Sequence, residues 1–361
     1  MFEIIHDIDG FSALRKDWER MNANNPASRI FQSFEWNLML WQNFFSQNAT
    51  QYKLYIVHGK RQNHEEEAIL PAFLDSKGTL RFIGDYYSDV LDIVVPSHKG
   101  NWHVFFEDFV RFICARDEIK RVYFGKMPAT SEFLPYLGVY YKSNGATITY
   151  GQTLLTLNVA SGETFSSVFP HLNSKDRNAL KHIMHIRPDL QFKVYSNAAG
   201  DAYPSKKIMD LRNWMVSHGL RANDALPDGL IDALGEYYNS DRCEIAAFEN
   251  DNGFEMFSFQ IFDGTPQYVV SWVTMHKDRQ LTTSANLRYI MEKARTSPIV
   301  FDFGTGAYPY KLGTFRPNIH ALYTFQTKRA AFGDLVQDLR GVASFYLKSN
   351  LKKLFYKFNA K

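Results

Sequence analysis

Cysteine is nearly missing from these 361 residues: Cys114 and Cys243 are the only two, each in an apolar-flanked segment. Two thiols exclude a disulfide framework or a cysteine-built metal cluster and predict buried free thiols. Long apolar runs are missing too. No stretch approaches the roughly 18 consecutive apolar residues that cross a bilayer, and Met1–Gly10 lacks the basic-then-apolar order of a secretory signal. The chain therefore reads as cytoplasmic. A net charge of +3 is too small to argue for DNA by itself. No histidine has metal-like spacing with acids or cysteines, so no metal is expected, and neither a nucleophile elbow nor a P-loop occurs. Glycine is absent between Gly264 and Gly304.

Aromatics are plentiful, with 30 Phe, 20 Tyr and 6 Trp, enough to fill a core and line a ligand groove. The length allows two domains or one large one. Helical spacing predicts an amphipathic helix through Phe11, Leu14, Trp18 and Met21, and a second after Ser33, which can cap it. Lys53–His58, Ala68–Phe73 and Leu80–Ile83 read as strands. Gly84–Pro96 reads as a turn with two tyrosines and three acids, then an apolar run. A helix over 102–114 and a strand from Arg121 to Gly125 follow. The polar, turn-like segment 142–150 marks the expected boundary between units 1–150 and 151–330. The second unit shows a strand at 153–159, helices near 205–217 and 228–238, and hairpins turning at Asn250–Gly253 and Asp263-Gly264. A helix over 281–294 completes it, ahead of Val300–Phe315. In that last stretch a short apolar run ends in Asp302, two glycines turn the chain, and Tyr308, Tyr310 and Lys311 follow. Polar groups at the exit of a buried strand are the usual makings of a site.

The halves echo each other weakly. Leu91–Val95, a polar loop, the helix 102–115 and Arg121–Gly125 match the order of Tyr268–Trp272, a polar loop, the helix 283–295 and Ile299–Gly304. Phe-Gly closes both copies, which predicts duplicated units, each a meander passing into a strand–helix–strand step.

That order describes the GNAT acyltransferase fold. Asp302-Phe-Gly-Thr-Gly306 with Tyr310-Lys311 and Phe315 resembles the signature of the BioF2-like (CelD/BcsL-type) acetyltransferases, which look like tandem GNAT units related to FemAB aminoacyl transferases. The resemblance spans roughly 1–330, and only the motif at 300–315 is specific. It implies an α/β (α+β) fold of two tandem GNAT-like units, each a mixed, mainly antiparallel sheet flanked by helices, to which the residue pattern of the tail adds a basic amphipathic C-terminal helix over 331–361. It also implies acyl transfer from acetyl-CoA or another acyl-CoA to an amine or hydroxyl, with a sugar or cell-surface polysaccharide precursor as acceptor. The alternatives are a FemAB-like transferase using aminoacyl-tRNA, the only reading with a tRNA partner, and a non-catalytic GNAT-like scaffold in polysaccharide synthesis. The donor's pantetheine would lie between splayed strands at 268–274 and 299–303.

The resemblance places Lys311 at the oxyanion of a tetrahedral intermediate and Tyr310 as proton donor to the leaving group; the plainer reading packs Tyr310 and pairs Lys311 with Asp302. Asp302 is either a general base or that partner, the partner being favoured. Trp272 and Gln260 either line the donor groove or belong to the core. Gln280, Thr283, Ser284 and Ala285 correspond to the pyrophosphate loop but lack its glycines. Asp85, Tyr86, Tyr87 and Asp89 suit a sugar or simply form a polar turn. Lys175, Arg177, Lys181, His182, His185 and Arg187 suit an anionic carrier or form a solvated helix face. In the tail, Leu335 to Phe358 fall close to one face beside lysines, fitting either peripheral contact with the inner face of an anionic membrane or packing on the body.

Overall fold

The computed structural model describes residues 1–23, 25, 30–61, 66–96, 102–142, 146–172, 187–221 and 226–327. Arg177 and most of the basic run around it, and the tail 331–361, lie outside the described residues.

The strands are β1 (Phe2–Ile5), β2 (Tyr52–Leu54), β3 (Ile56–Lys60), β4 (Glu67–Leu70), β5 (Ala72–Asp75), β6 (Thr79–Phe82) and β7 (Arg121–Pro128), then β8 (Thr147–Val159), β9 (Gln191–Tyr195), β10 (Cys243–Asn250), β11 (Gly253–Asp263), β12 (Thr265–His276), β13 (Ile299–Thr305) and β14 (Asn318–Gln326). The helices are α1 (Ile8–Ala13), α2 (Arg15–Ala23), α3 (Phe34–Leu40), α4 (Trp102–Cys114) and α5 (Leu134–Lys142), then α6 (Phe165–Val168), α7 (Ser205–Ser217), α8 (Asp228–Asn239), α9 (Arg279–Ala294) and α10 (Pro309–Phe315).

Eleven strands form one sheet in the order β2-β5-β6-β7-β14-β8-β13-β12-β11-β10-β9, and β1-β3-β4 form a second. Among the described residues only two neighbours run parallel, β6 with β7 and β12 with β13. Each parallel pair is bridged by a long helix, α4 or α9, so each half is a GNAT-like unit. The units exchange their closing strands. β8 leaves the first half to pair with β13, while β14 returns from the second half to pair with β7, and the two pair with each other along nine registers. The boundary expected near 150 therefore falls inside β8, and the polar segment before it carries ladder-forming residues whose partners lie at 323–326.

Local chemistry explains most boundaries. Ser33 Oγ accepts from Trp36 N–H at 3.2 Å and starts α3. The Asn250–Gly253 turn closes the β10–β11 hairpin with Gly253 at φ +112°. Three strand expectations need correction. Lys53–His58 is two strands broken at Tyr55, and Ala68–Phe73 is two strands broken at Pro71, because the chain steps there from one sheet to the other and proline cannot donate to a ladder. Leu91–Val95 is not the parallel partner of β7. β6 fills that role, and Val94 makes only a single bridge to Ile69. The apolar character of 91–95 comes from burial under α4 and not from pairing in the sheet.

The largest core crosses both units. Trp36 of α3 meets Trp272 of β12 edge to face at 5.2 Å, and Tyr237 of α8 at 6.0 Å. Offset edge-to-face rings add about 0.5–1.5 kcal/mol beyond their burial, so the relation between units is held by aromatic packing as well as by strand exchange.

The smaller sheet is tied to α2 by charge. Glu67 is fully buried and accepts from Arg20 and from His58 Nε2 at 3.0 Å, with Lys60 Nζ at 3.3 Å, while His58 Nδ1 meets Glu3 at 2.9 Å. Burial pushes the Glu67 carboxyl up, but bonds from His58 and Arg20 and the nearby cations outweigh it and hold it at about 2. Burial likewise opposes a charged His58, yet its two carboxylates raise its pKa. The Glu67 contribution is present above the ordinary carboxylate range and is lost as pH falls toward 2. The His58 contribution is present below the ordinary imidazole range and is lost as pH rises through its raised value. Glu67→Gln should therefore cost about 2 kcal/mol at pH 6, below the 3–5 kcal/mol of a fully buried pair because Arg20 and Lys60 reach water. Urea denaturation at pH 6 and pH 8.5 measures it, with the smaller loss expected at the higher pH.

Candidate active site at the strand splay

β12 and β13 pair for three residues, ending at Val270 and Asp302, and then part. Beyond that point β12 follows β11, with a bulge at Val273, whose φ is +37°. β13 follows β8, with a bulge between Asp302 and Thr305 where Gly304 takes φ +68°. A splayed parallel pair leaves backbone groups unpaired on both edges, which is where a ligand can enter a sheet.

Asp302 sits at the fork. It is 2% exposed, and its carboxyl accepts from Gly304 N–H at 2.8 Å and from Tyr268 O–H at 3.2 Å. Burial pushes its pKa up, the Asp89 charge pushes it further, and the Gly304 and Tyr268 donors and the Lys311 charge pull back, leaving it at about 7. Lys311 is delivered by α10, which folds back over the strand exit. Its Nζ donates to the Phe303 carbonyl at 2.5 Å and lies 3.4 Å from the Thr305 carbonyl. Burial lowers its pKa, against the raising effect of Asp89 and Asp302. The favoured expectation that Asp302 holds Lys311 directly is corrected: no ion pair joins them, because the carbonyls freed by the splay take the ammonium first.

The first-half cluster comes to the same place. Asp89 Oδ1 accepts from Thr305 N–H at 3.2 Å and from Thr305 Oγ1 at 2.7 Å, across the two units. A side chain at Gly304 would meet Asp89 Oδ2 at 2.7 Å, so this close approach needs glycine as much as the positive φ does. The loop carrying Asp89 is pinned by two tryptophans. Trp36 Nε1 donates to Ser88 Oγ at 2.9 Å, and Trp272 Nε1 to the Tyr87 carbonyl at 2.6 Å. Lys126 fixes it from below, donating to the carbonyls of Asp85 and Ser88 at 2.9 and 2.7 Å. Asp85 itself turns away to Arg81, at 2.8 Å.

Between the units lies a half-open cleft of about 530 Å³. Tyr86, Tyr87, Asp89 and Lys126 line it from the first unit, and Arg221, Trp272 and Thr305 from the second. Trp272 is thus both core and cleft wall. Asp302 and Lys311 stand directly behind Thr305. Tyr310 is stacked on Tyr308 with centroids 6.2 Å apart, and burial keeps its hydroxyl protonated.

The remaining expected residues lie elsewhere. Gln280, Thr283, Ser284 and Ala285 belong to the first turns of α9, which begins at Arg279, so they form helix and not a loop. Ser284 and Ala285 are buried against the sheet, and Asp278 caps the helix by accepting from Gln280 N–H at 2.9 Å. A carboxylate therefore occupies the anion position at that N-terminus. Gln260 is buried in β11 with both amide atoms unpartnered, away from the cleft lining. Lys126, Tyr268, Arg221 and Arg279 were not anticipated. Lys126 alone had a signal, since it follows the Phe-Gly that closes the first copy. Among the described residues no group of histidines, cysteines and acids can hold a metal, and no helix is long and apolar enough to cross a membrane.

The chain matches no protein-family model and no curated protein. Solved structures do match along its length. The C-terminal domain of a putative lysylphosphatidylglycerol synthetase from Agrobacterium fabrum is similar at 12% identity, covering 90% of this chain and 95% of that one with a TM-score of 0.53. L-PGS from Bacillus licheniformis gives 11%, 91%, 94% and 0.53, and FemX gives 9%, 90%, 96% and 0.52. What is shared is the fold. That likeness spans about nine-tenths of this chain.

The position of Asp302 predicts a pH signature. An unfolded aspartate ionises near its ordinary 3.8, whereas folded Asp302 keeps its proton to about 7. Unfolding thus releases a proton between those values, and stability falls as pH rises through that window. Asp302→Asn lacks this loss. The melting temperature of the variant minus that of the parent should climb from pH 4 to pH 7 and level off above, as followed by calorimetric scans.

Proposed function

We propose that the chain is an acyltransferase that moves an activated acyl group across the β12–β13 splay to an acceptor held in the cleft between the units. The observation that supports this is the meeting of Asp89, Asp302 and Lys311 at the fork, from two units joined there by an Asp89–Thr305 bond across 216 residues of sequence. Asp89 is the carboxylate on the cleft wall and takes the proton of the attacking amine or hydroxyl. Lys311, partly desolvated and already bound to carbonyl oxygens, turns to the oxyanion that forms as the acyl carbon becomes tetrahedral. Tyr310, kept protonated, returns a proton to the leaving group. Asp302 holds the Gly304 turn in place through its bond to that N–H. No covalent enzyme intermediate is needed, since the acceptor attacks directly.

Two donors compete. Acetyl-CoA with a sugar or polysaccharide precursor as acceptor, the BioF2-like reading, draws support from the splay itself, which suits a narrow pantetheine arm. An aminoacyl ester draws support from Asp278: a carboxylate at the start of α9 repels the pyrophosphate that an acyl-CoA would place there. The fold shared with FemX and lysylphosphatidylglycerol synthetases adds weight to the same side, and we favour it.

Calorimetric titration with acetyl-CoA, and transfer assays from labelled aminoacyl-tRNA to an amine or hydroxyl acceptor, separate the two. Favoured-donor transfer with no acetyl-CoA binding is expected; tight acetyl-CoA binding would reverse the order. With the competent donor, Asp89→Asn should lower kcat/KM by roughly 10²–10⁴-fold and Lys311→Met by roughly 10²–10³-fold, with circular dichroism unchanged.

A further inference from the structure

The first half of β8 has one side unpaired. Residues 147–152 are exposed throughout, and among the described residues they pair only with β14. β13 joins β8 from Leu154 onward, with one further bond from Gly306 N–H to the Thr153 carbonyl at 2.9 Å. Nothing in the sequence blunts this edge. From Ala146 to Thr153 the chain has no charge and no proline, the usual guards of an open strand. It also carries apolar side chains into water. Ile148 is 40% exposed, and Tyr150, two residues on and so on the same face, is 62% exposed. Helix α5 packs beside them: a side chain at Gly138 would meet Ile148 Cδ1 at 2.7 Å, and Val139, next in that helix, is 78% exposed. A neutral open strand flanked by exposed aliphatic and aromatic groups is a docking surface.

The chain itself supplies the occupant. β14 ends at Gln326, which pairs with Thr147, the first residue of the open strip. Thr327 is then held at the start of β7, its N–H donating to the Val122 carbonyl at 3.0 Å and its Oγ1 accepting from Val122 N–H at 3.1 Å. Residues 328–361 therefore set out from beside the strip. In them Leu335, Leu339, Val342 and Tyr346 recur at helical spacing and would cover about 17 Å of helix. A strand of the strip's length covers about 20 Å, and the connector 328–334 reaches up to roughly 23 Å. The lysines gather further on, at Lys348, Lys352, Lys353, Lys357 and Lys361, so the less charged part of the tail is the part that suits a neutral surface. We infer that residues 335–347 seat their apolar side on Val139, Ile148 and Tyr150 and close the open strip of β8 within the same molecule. This is independent of which donor the fork accepts.

Hydrogen exchange of the full chain, read by mass spectrometry, tests the contact from both sides. Tyr150→Asp should speed exchange at 335–347, and Leu339→Asp should speed exchange at 147–152, each by roughly 10–100-fold, the worth of one buried apolar side chain. Leu339→Met should exchange as the parent does. Leu220→Asp, which alters an exposed leucine of the second unit, should leave both segments unchanged. Unaltered exchange in the β10–β11 hairpin shows that each variant is folded. Protection at 335–347 that ignores Tyr150→Asp, or protection at 147–152 that ignores Leu339→Asp, overturns the contact. Two rival occupants have their own signatures, and either overturns it as well. If a second copy covers the strip, protection at 147–152 fades on dilution and sedimentation shows a dimer. If the tail serves a membrane, 335–347 exchanges freely in solution and is protected only by vesicles of phosphatidylglycerol and phosphatidylcholine, with 147–152 unchanged.

Discussion

The exchange of β8 and β14 is the constraint on which the site depends. Each unit by itself ends in a parallel strand with an open edge, and an open edge in a sheet this size is a liability. By crossing over, β8 covers β13 and β14 covers β7, and the pairing of β8 with β14 turns two sheets into one. That fixes the angle at which the two forks face each other. The loop after β6 then reaches the bulge of β13, and Asp89 can bond Thr305. Without the exchange the residues 84–89 and 300–311 would belong to different surfaces.

Charge at the fork is balanced by backbone rather than by neat ion pairs. Two lysines, Lys126 and Lys311, are each buried or half-buried and each give their protons to main-chain carbonyls. Carbonyls hold an ammonium without neutralising it, so its charge remains available to a substrate, whereas a bidentate carboxylate would cancel it. Asp302 follows the complementary logic. Its bonds come from a backbone N–H and a tyrosine, and burial beside Asp89 keeps its proton near neutrality. A centre of this kind can carry one more negative group.

The sequence showed the parts that depend on near neighbours. Helix periodicity, the Ser33 cap, the Asn250–Gly253 hairpin and the strand-then-glycine pattern at 300–306 all follow from short-range rules and reappear in the structure. Elements defined by distant partners were not legible. β14 is only 9 residues of mixed pattern, and it is a strand because β7 and β8 flank it from far upstream. Thr147–Tyr150 looks like a turn until β14 pairs with it. The Gln280–Ala285 segment resembled a loop because family analogy aligned it with one, although Asp278 already offered a helix cap two residues before. Arg221 and Arg279 have no local signature at all; only the fold brings Arg221 to the cleft and Arg279 over the Tyr310 ring.

The two copies are alike in fold and unlike in chemistry, and the reason lies in one backbone position. In the second unit the left-handed residue near the end of β13 is Gly304, which lets Asp89 close in and lets the chain turn at once into α10, bringing Tyr308, Tyr310 and Lys311 over the fork. In the first unit the left-handed residue is Lys126, at φ +59°. A non-glycine residue there is strained by about 1 kcal/mol or more, and what offsets it is the pair of carbonyl bonds its ammonium makes to the 84–89 loop. The same strand–turn geometry thus brings Lys311 over the fork in one copy, while in the other it braces the loop that carries Asp89. The fold holds two such forks: in one the strands part beside the cleft, and in the other a lysine braces the loop that lines it.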